Sequence, residues 1–255
     1  MPARTTAALG PRTIHRQIVE ALALRIVSRR VGPGELMPTE GVLCVEFGIS
    51  RTILREAMKF LAAKGMVEIR PKIGTRVLPP ERWNLLDADV VAWRAEMGPD
   101  DRLVRDLVDL RNLIEPAAAE RAAQRARPEH VAAMEEALMR MEAAVRPDGD
   151  MRDYVAADLD FHRGLLNACD NQLLAQLASP IGAVLKVSFA MSTRRSENAA
   201  RSVPLHREIV EGIKAGDAAR ARAAIETIIG NAAAEIEENY GKPAAKPRAA
   251  RRAAR

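Results

Sequence analysis

The stretch Ile49-Ser50-Arg51-Thr52-Ile53-Leu54-Arg55-Glu56-Ala57-Met58-Lys59-Phe60-Leu61 predicts a short amphipathic helix. Ser50 suits the N-cap position, because its hydroxyl can accept a hydrogen bond from a free backbone N–H of the first turn. Apolar residues at three- and four-residue spacing form one stripe, which comprises Ile53, Leu54, Ala57 and Leu61. Basic residues spaced four apart form a second stripe, which comprises Arg51, Arg55 and Lys59. Like charges at this spacing repel weakly on a helix, so the second stripe indicates either a polyanionic partner or a face turned to solvent.

The residues on either side of this helix favour the polyanionic partner. Pro38–Phe47 predicts another short helix with Thr39 as its cap, and Gly48 supplies a permissive turn position. A helix, a short turn that contains glycine and a basic helix make a helix-turn-helix pattern. Downstream, Met66–Arg70 alternates like a strand and can return as Thr75–Val77. The unit is therefore predicted to be a winged helix-turn-helix.

These motifs and their neighbours resemble the GntR family of bacterial transcription regulators. The resemblance runs without a gap over residues 12–78, and it is carried by PGELMPTE at 33–40, LCVEF at 43–47, SRTILREA at 50–57, LAAKGMV at 61–67 and GTRV at 74–77. Two positions depart from the family pattern. Gly41 stands where many members have an arginine that contacts DNA, and Lys72 stands in the wing where a glycine is common.

The resemblance and the basic stripe together predict which residues meet double-stranded DNA. Arginines and a threonine at the start of the second helix are expected in the major groove, where arginine reads O6 and N7 of guanine. Lys59 and the wing are expected to hold the backbone or to reach the minor groove. The predicted set is Thr39, Arg51, Thr52, Arg55, Lys59, Lys72, Gly74, Thr75 and Arg76. Since one such unit offers few base contacts, a homodimer on a palindromic operator is expected.

Charge is distributed unevenly along the 255 residues, whose net charge is +5. Residues 1–77 carry a net +7, residues 78–240 a net −8 and residues 241–255 a net +6. This pattern predicts that the first segment meets nucleic acid, with weak non-specific affinity in the tail. Two distant cysteines in apolar helical patterns, the lack of an apolar run of about 18 residues and the lack of a signal-peptide core predict a cytoplasmic protein without membrane contact.

The chain is predicted to be mostly α, with a winged helix-turn-helix followed by an all-α bundle of about six helices. The predicted domains are a disordered N-terminus at 1–11, the winged unit at 12–78, a linker at 79–99, an effector domain at 100–240 and a disordered basic tail at 241–255. The six helices are expected at roughly 101–125, 128–145, 150–168, 171–190, 197–214 and 217–239. In the linker, Trp83 and Trp93 are expected to pack between the two domains. This linker resembles that of the galactonate-repressor branch of the same family.

Three segments of the bundle resemble the FCD effector domain of the FadR subfamily: DLRNLIE at 109–115, DLDFH at 158–162 and HREIVEGIKAGD at 206–217. Asp158 and His162 are four apart and share one helix face, while His206 lies on a later helix. Alone, such an Asp and His are more typical of a pair on a helix surface. In FCD proteins these three positions are metal ligands, and two imidazoles with one carboxylate suit Zn²⁺, Ni²⁺, Mn²⁺ or Fe²⁺.

The ligand set is incomplete by the family pattern, because Ile228 stands where a third histidine is usual. Either a divalent metal keeps open positions, or it is weakly held or absent. Open positions would suit chelation by an α-hydroxy-carboxylate. Arg111 is expected either to bind the effector carboxylate or to pair with Glu115 one turn on, and Asn231 either to face the cavity or to lie on the surface. The predicted effector-binding residues are Arg111, Glu115 and Asn231.

The resemblance implies a ligand-responsive transcription regulator, expected to repress a sugar-acid or related carboxylate catabolic operon until a small organic acid releases it from DNA. The alternative is a metal-dependent enzyme that uses the same three ligands. No general base or nucleophile constellation accompanies them in the sequence, so an enzyme is not expected. A DNA-architectural protein would leave the three ligands without a role.

Overall fold

The computed structural model describes residues 11–97, 101–182, 185–186 and 196–240, which form two compact units. The first unit, called the head below, comprises residues 11–97, 175–182 and 185–186. The second unit, called the body, comprises residues 101–174 and 196–240. The disorder expected at 1–11 and 241–255 falls outside the described residues, except at Pro11, where the first helix begins.

The head contains four helices, a two-stranded sheet and one 3-10 turn among its described residues up to 97. They are α1 (Pro11–Val27), α2 (Glu40–Phe47), α3 (Arg51–Ala63), β1 (Val67–Arg70), β2 (Gly74–Val77), the 3-10 turn Pro80–Arg82 and α4 (Ala88–Glu96). The strands are antiparallel, with Val67 opposite Val77 and Arg70 opposite Gly74. The predicted winged helix-turn-helix is thereby confirmed.

Local chemistry explains how α2 gives way to α3. Gly48 adopts the left-handed region with φ 63°, and its N–H bonds to the carbonyl of Cys44. Ser50 then caps α3, since its hydroxyl accepts from the N–H of Ile53 at 3.4 Å. Leu54, Ala57 and Leu61, predicted as the apolar stripe, are fully buried in the head core, which leaves the basic stripe of α3 outside.

The wing turns through a strained residue. Lys72 has φ 65°, a left-handed conformation that costs a side chain more than it costs glycine. This accounts physically for the glycine that the family pattern favours at this position. The turn is closed by a bond from the N–H of Ile73 to the carbonyl of Arg70 at 3.2 Å.

The segment predicted as a linker is part of the head. Trp83 and Trp93 are both buried in the head core, whereas the sequence predicted that they pack between two domains. The indole N–H of Trp83 donates to the carbonyl of Leu78 at 2.9 Å. A Cβ on Gly65, which has φ +72°, would lie 2.2 Å from the carbonyl oxygen of Arg82. The polypeptide after the wing is therefore packed tightly against the end of α3.

A buried lysine fixes α4 to the end of α3 within the head. Lys64, at the C-terminal end of α3, is 7% exposed and lies 2.7 Å from Asp87 and 2.8 Å from Asp89. Asp87 also caps α4, because its carboxylate accepts from the N–H groups of Asp89 and Val90. One carboxylate thus joins the end of α3 to the start of α4.

The body is all helical in its described residues. Its helices are α5 (Asp101–Arg125), α6 (Pro128–Ala144), α7 (Met151–Ala168), the first three residues of α8 (Gln172–Gln176), α9 (Ser196–Ala215) and α10 (Ala218–Tyr240). Helix α7 packs on α5 and α6, and α10 packs on α5 and α9. None of the helices in the described ranges has the length and hydropathy of a membrane span.

One predicted helix, at 171–190, is interrupted at Leu177. Helix α8 ends at Gln176, and a new helical turn covers residues 178–182. Pro180 is the physical cause, since it lacks the N–H that would bond to the carbonyl of Gln176 in a continuous helix. The break expected between the predicted helices at 171–190 and 197–214 falls mostly outside the described residues.

Candidate DNA interface and candidate metal centre

The exposed face of α3 carries the residues that were predicted to read DNA. Arg51, Thr52, Arg55 and Lys59 are all exposed, whereas Leu54 and Ala57 on the other face are fully buried. The strong segregation of polar and apolar side chains is what allows one face to meet a polyanion while the other holds the fold. Thr39 is also exposed, at the N-cap position of α2, although its side chain makes no capping bond.

Two of these basic residues are paired with carboxylates. Arg55 donates to Glu40 of α2 through Nε and Nη2, with donor–acceptor distances of 3.0, 3.1 and 3.0 Å. The hydrogen bonds from Arg55 hold the pKa of Glu40 below its usual range. Lys59 donates to Glu56 at 2.8 Å on its own helix. The sequence did not indicate the pair between α2 and α3, which joins residues fifteen apart.

The wing residues differ in exposure. Lys72 and Gly74 are exposed, whereas Thr75 and Arg76 are half-buried. Nη1 of Arg76 donates to the carbonyl of Gly34 at 3.2 Å, and its Nε is buried with no hydrogen-bond partner among the described residues. Arg76 therefore also braces the loop before α2.

The body brings the three predicted metal ligands together. Asp158 and His162 lie on α7, His206 lies on α9, and one ligand atom of each falls within 4.8 Å of the others. Nε2 of His206 is 3.2 Å from Oδ1 of Asp158, and Nε2 of His162 is 3.8 Å from the same oxygen. All three side chains are buried, with residue exposures of 0 to 3%. The pattern is therefore not a pair on a helix surface.

The hydrogen bonds of His206 indicate that a cation fits this cluster. Its Nδ1 lies 2.9 Å from the carbonyl of Ser202, which can only accept, so Nδ1 carries the proton in the neutral ring. Nε2 then presents a lone pair to a carboxylate, and it is buried with no hydrogen-bond partner among the described residues. Two ligands at zinc-like distances in a tetrahedral site lie roughly 3.4 Å apart, close to the 3.2 and 3.8 Å that separate Asp158 from the two histidines. The residues present fit a divalent metal.

Burial and charge compete at Asp158. Burial would raise the pKa of this carboxyl, but His162 and His206 outweigh that effect and hold the pKa below its usual range. Tyr154, one turn earlier on α7, behaves differently, because burial raises the pKa of its phenol above the usual range. The cluster thus places an ionised carboxylate beside a neutral phenol.

A buried ion pair between Arg111 and Glu115 lies next to His162. Arg111 donates to Glu115 through Nε at 2.7 Å and through Nη2 at 3.4 Å. Oε2 of Glu115 lies 2.7 Å from Nδ1 of His162, off the direction of a hydrogen bond. Burial would raise the pKa of Glu115, but Arg111 and His162 lower it to about 2. Of the two alternatives for Arg111, the structure has the pair with Glu115.

Two further positions bear on the effector prediction. Ile228, at the usual place of a third histidine, is buried at 7% exposure. Asn231 is exposed, which fits a surface amide rather than a residue that faces the buried cluster. Ser202, which orients His206, was not predicted; its position four residues before a candidate ligand was the available signal.

Comparison with known proteins agrees with this architecture. Residues 14–77 match the bacterial regulatory proteins of the gntR family, and residues 106–231 match the FCD domain. The solved structure of Lar, which controls the expression of the Listeria monocytogenes agr system, matches with a TM-score of 0.64 and 18% identity, covering 93% of this chain and 99% of that chain. At that identity the likeness concerns the fold alone.

Relatives of similar length are transcription regulators by name. The galactonate operon transcriptional repressor of Escherichia coli (strain K12) is 33% identical over 223 residues, which cover 87% of this chain and 96% of the relative. A probable D-xylose utilization operon transcriptional repressor of Paenarthrobacter nicotinovorans is 29% identical over 217 residues, 84% of each chain. With its winged head, its FCD body and these relatives, the chain belongs to the GntR family of transcription regulators, in the FadR subfamily.

Proposed function

We propose that this chain is a cytoplasmic homodimer that represses a catabolic operon for a sugar acid or a related carboxylate. The observation that carries the proposal is the presence of a buried Asp158–His162–His206 cluster in the same chain as a winged head with an exposed basic stripe. The names of the relatives from Escherichia coli and Paenarthrobacter nicotinovorans support a sugar or sugar-acid operon. The head would hold the operator, and the body would sense the carbon source.

Different residues of the body would hold the metal, orient its ligands and contact the effector. Asp158, His162 and His206 would hold Zn²⁺, Ni²⁺ or Mn²⁺, and the bound ion would supply Lewis-acid positions for a hydroxyl and a carboxylate oxygen. Ser202 fixes the ring proton of His206, and Glu115 places a negative charge beside His162. Because Arg111 already pairs with Glu115, an effector carboxylate that binds Arg111 would have to share the guanidinium with Glu115.

Release from DNA would follow from a difference in effector affinity between two arrangements of the dimer. A ligand shifts such an equilibrium only by that difference, and a coupling of about 1–3 kcal/mol would weaken DNA binding roughly 5- to 150-fold. Since Lys64 and Asp87 fix α4 to the end of α3, helix α4 would move with the recognition helix as one piece. A rigid-body rotation of the two heads is the expected response.

A DNA titration with candidate acids tests the sensor. The full chain is titrated onto its selected operator with and without D-galactonate and related sugar acids, each with and without a chelator. We expect one acid to weaken binding in the native protein, and we expect His162→Ala to abolish the response. His130→Ala is the control, because His130 lies in α6 and caps that helix outside the cluster. An equal response in His162→Ala and the native protein would exclude the cluster as the sensor.

The same samples distinguish a sensor from the alternative metal-dependent enzyme. A sensor returns the acid unchanged, whereas an enzyme converts it, so the acid is recovered after prolonged incubation and analysed by mass. Conversion that is lost in His162→Ala would favour the enzyme.

Footprinting tests the residues assigned to the head. Arg55→Ala is expected to weaken operator binding by about 1–3 kcal/mol and to relax specificity at one base pair. Arg51→Ala combined with Arg55→Ala should erase the protected pattern. A footprint that survives both substitutions would refute the assignment.

The mass of the protein tests the dimer. We expect twice the chain mass at micromolar concentration and protection of two half-sites related by a dyad. A monomer mass with a single protected half-site would contradict the proposal.

A further inference from the structure

A bidentate ion pair joins the helix before the turn to the recognition helix. Nε of Arg55 lies 3.0 and 3.1 Å from the two carboxylate oxygens of Glu40, and Nη2 lies 3.0 Å from Oε2. Glu40 is the first residue of α2, whereas Arg55 lies in the middle of α3. The contact therefore holds the long Arg55 side chain of α3 against the carboxylate of Glu40 on α2.

The pair uses one edge of the guanidinium and leaves another. A guanidinium has a side edge, formed by the N–H of Nε and one N–H of Nη2, and an end edge, formed by one N–H each of Nη1 and Nη2. Glu40 occupies the side edge. The end edge stays available, and its two parallel N–H groups can donate to the paired acceptors O6 and N7 of guanine. The Arg55 side chain remains 61% exposed, so a partner can reach it while the pair is intact.

We propose that Glu40 is a positioning residue for DNA recognition, which holds the side edge of Arg55 so that its end edge reads one guanine. The proposal rests on the role proposed above for Arg55. An unheld arginine can swing to a phosphate and bind any sequence, whereas a held one has lost that freedom before DNA arrives. Glu40 thus weakens the non-specific binding of Arg55 to phosphates and increases its discrimination for guanine at one base pair.

Two neighbours of the Arg55–Glu40 pair, Gly41 and Arg51, support a role for the pair in recognition. Gly41, next to Glu40, stands where many family members have a DNA-contacting arginine, so fewer side chains of α2 can share the recognition. The hydrogen bonds from Arg55 keep the pKa of the Glu40 carboxyl low, and the positive charge of Arg51 adds to this effect. The carboxylate is therefore ionised and able to accept from Arg55 at neutral pH.

Two simpler roles predict different behaviour. An ordinary surface ion pair contributes little and would not affect base discrimination. A competitor for Arg55 would weaken operator binding, so that its removal would tighten binding to the operator while the base preference stayed intact.

The test measures binding of the full-length protein to its selected operator and to every single-base substitution of one half-site. Native protein, Glu40→Gln, Arg55→Lys and the double variant are compared at several salt concentrations. Glu46→Gln is the matched control, because Glu46 is also on α2, has a side chain 44% exposed against 46% for Glu40, and pairs with Arg25 instead. Thermal melting of each variant confirms that the head is folded.

We expect native protein to discriminate one guanine by roughly 5- to 150-fold, the range of a good bidentate contact. Glu40→Gln should reduce this ratio at the same base pair as Arg55→Lys, and the double variant should lose no more than Arg55→Lys alone. In Glu40→Gln, non-specific binding should tighten and its salt slope should steepen by about 0.9, the value for one added phosphate contact. Glu46→Gln should leave the base profile unchanged.

Each other outcome overturns a defined statement. If Arg55→Lys loses the discrimination but Glu40→Gln keeps it, Glu40 does not position Arg55. If Glu40→Gln tightens operator binding with its base profile unchanged, the carboxylate is a competitor. If Arg55→Ala, measured on the same set of operators, keeps the full profile, the assignment of Arg55 to guanine fails and the role of Glu40 fails with it.

Discussion

The head and the body each contain a bidentate arginine–glutamate pair, and the two pairs have opposite surroundings. In the head, the side chains of Arg55 and Glu40 are 61% and 46% exposed. In the body, those of Arg111 and Glu115 are 3% and 0% exposed. The same two functional groups are joined by two-point hydrogen bonding in both units, but they face solvent in the head and lie in the protein interior in the body.

The difference teaches which pair is available to a partner and which belongs to the framework. Two charges in the interior lose their hydration, so each depends on the other for compensation. Exposed charges keep most of their hydration, and their pairing adds little to stability. We therefore assign the buried pair to the architecture behind His162, whereas the exposed pair is accessible for the recognition proposed above.

Removing the buried arginine is expected to have the largest effect. Arg111→Met leaves the Glu115 carboxylate buried without its main partner, which should lower the free energy of unfolding by about 3–5 kcal/mol. Urea unfolding of the full chain, followed by circular dichroism, measures it. Arg102→Met is the control, because Arg102 pairs with Asp106 at the same spacing on the same helix but with its side chain 79% exposed. Equal effects of the two substitutions would show that burial does not distinguish these pairs.

The lysine that fixes α4 is intermediate between the two pairs. The Lys64 side chain is 9% exposed and contacts Asp87, whose side chain is 25% exposed. Lys64→Met removes these charge-assisted hydrogen bonds but keeps the apolar stem, so it should cost about 1.5–3 kcal/mol. The same unfolding experiment measures it, with Arg70→Met of the exposed Arg70–Glu68 pair as control. A loss no greater than that of the control would contradict the assigned role of Lys64.

An arginine added beside the exposed Arg55–Glu40 pair tests whether this part of the head reaches DNA. A Cβ at Gly41 would meet no atom within 4 Å, so Gly41→Arg should fold normally and place a second cation beside Glu40. We expect tighter DNA binding and a salt slope steeper by about 0.9, equivalent to one phosphate contact. Gly41→Gln, of comparable size and without charge, is the control. A salt slope that Gly41→Arg leaves unchanged would mean that the start of α2 does not reach DNA.

The smallest effect is expected for the exposed pair itself. Arg55→Met should change the free energy of unfolding by no more than about 0.5 kcal/mol, because the pair is solvated on both sides. The unfolding experiment used for Arg111→Met provides the measurement. A loss of several kcal/mol would show that the Arg55–Glu40 pair supports the head, and it would weaken its assignment to recognition.

Local chemistry made much of the fold predictable from sequence. Ser50 and Gly48 have short-range requirements, and the structure satisfies them within the residues that imposed them. Helix α5 begins at Asp101 and ends at Arg125, the bounds that were predicted. Asp158 and His162 were close by helical spacing alone, whereas their approach to His206 was implied only by the family resemblance.

Contacts between distant residues were not predictable in the same way. The Arg55–Glu40 pair depends on the angle between α2 and α3, which no periodicity encodes. The packing of Trp83 and Trp93 in the head depends on where the polypeptide turns after the wing. By contrast, the Arg111–Glu115 pair was foreseen as an alternative, because residues four apart on one helix must be neighbours.

Gly65 has a consequence for how such a regulator can diversify. Any side chain at this position would collide with the carbonyl of Arg82 and displace the segment that leads to α4. Residues on the outer face of α3, such as Arg51 and Thr52, have no such constraint, because they are exposed. Over evolutionary time we expect the outer face of α3 to drift toward new operators while Gly65 stays fixed. New DNA preferences would then arise while the packing of α3 against the segment that leads to α4 stays the same. The recognition surface could change its target sequence without a change in the core of the head.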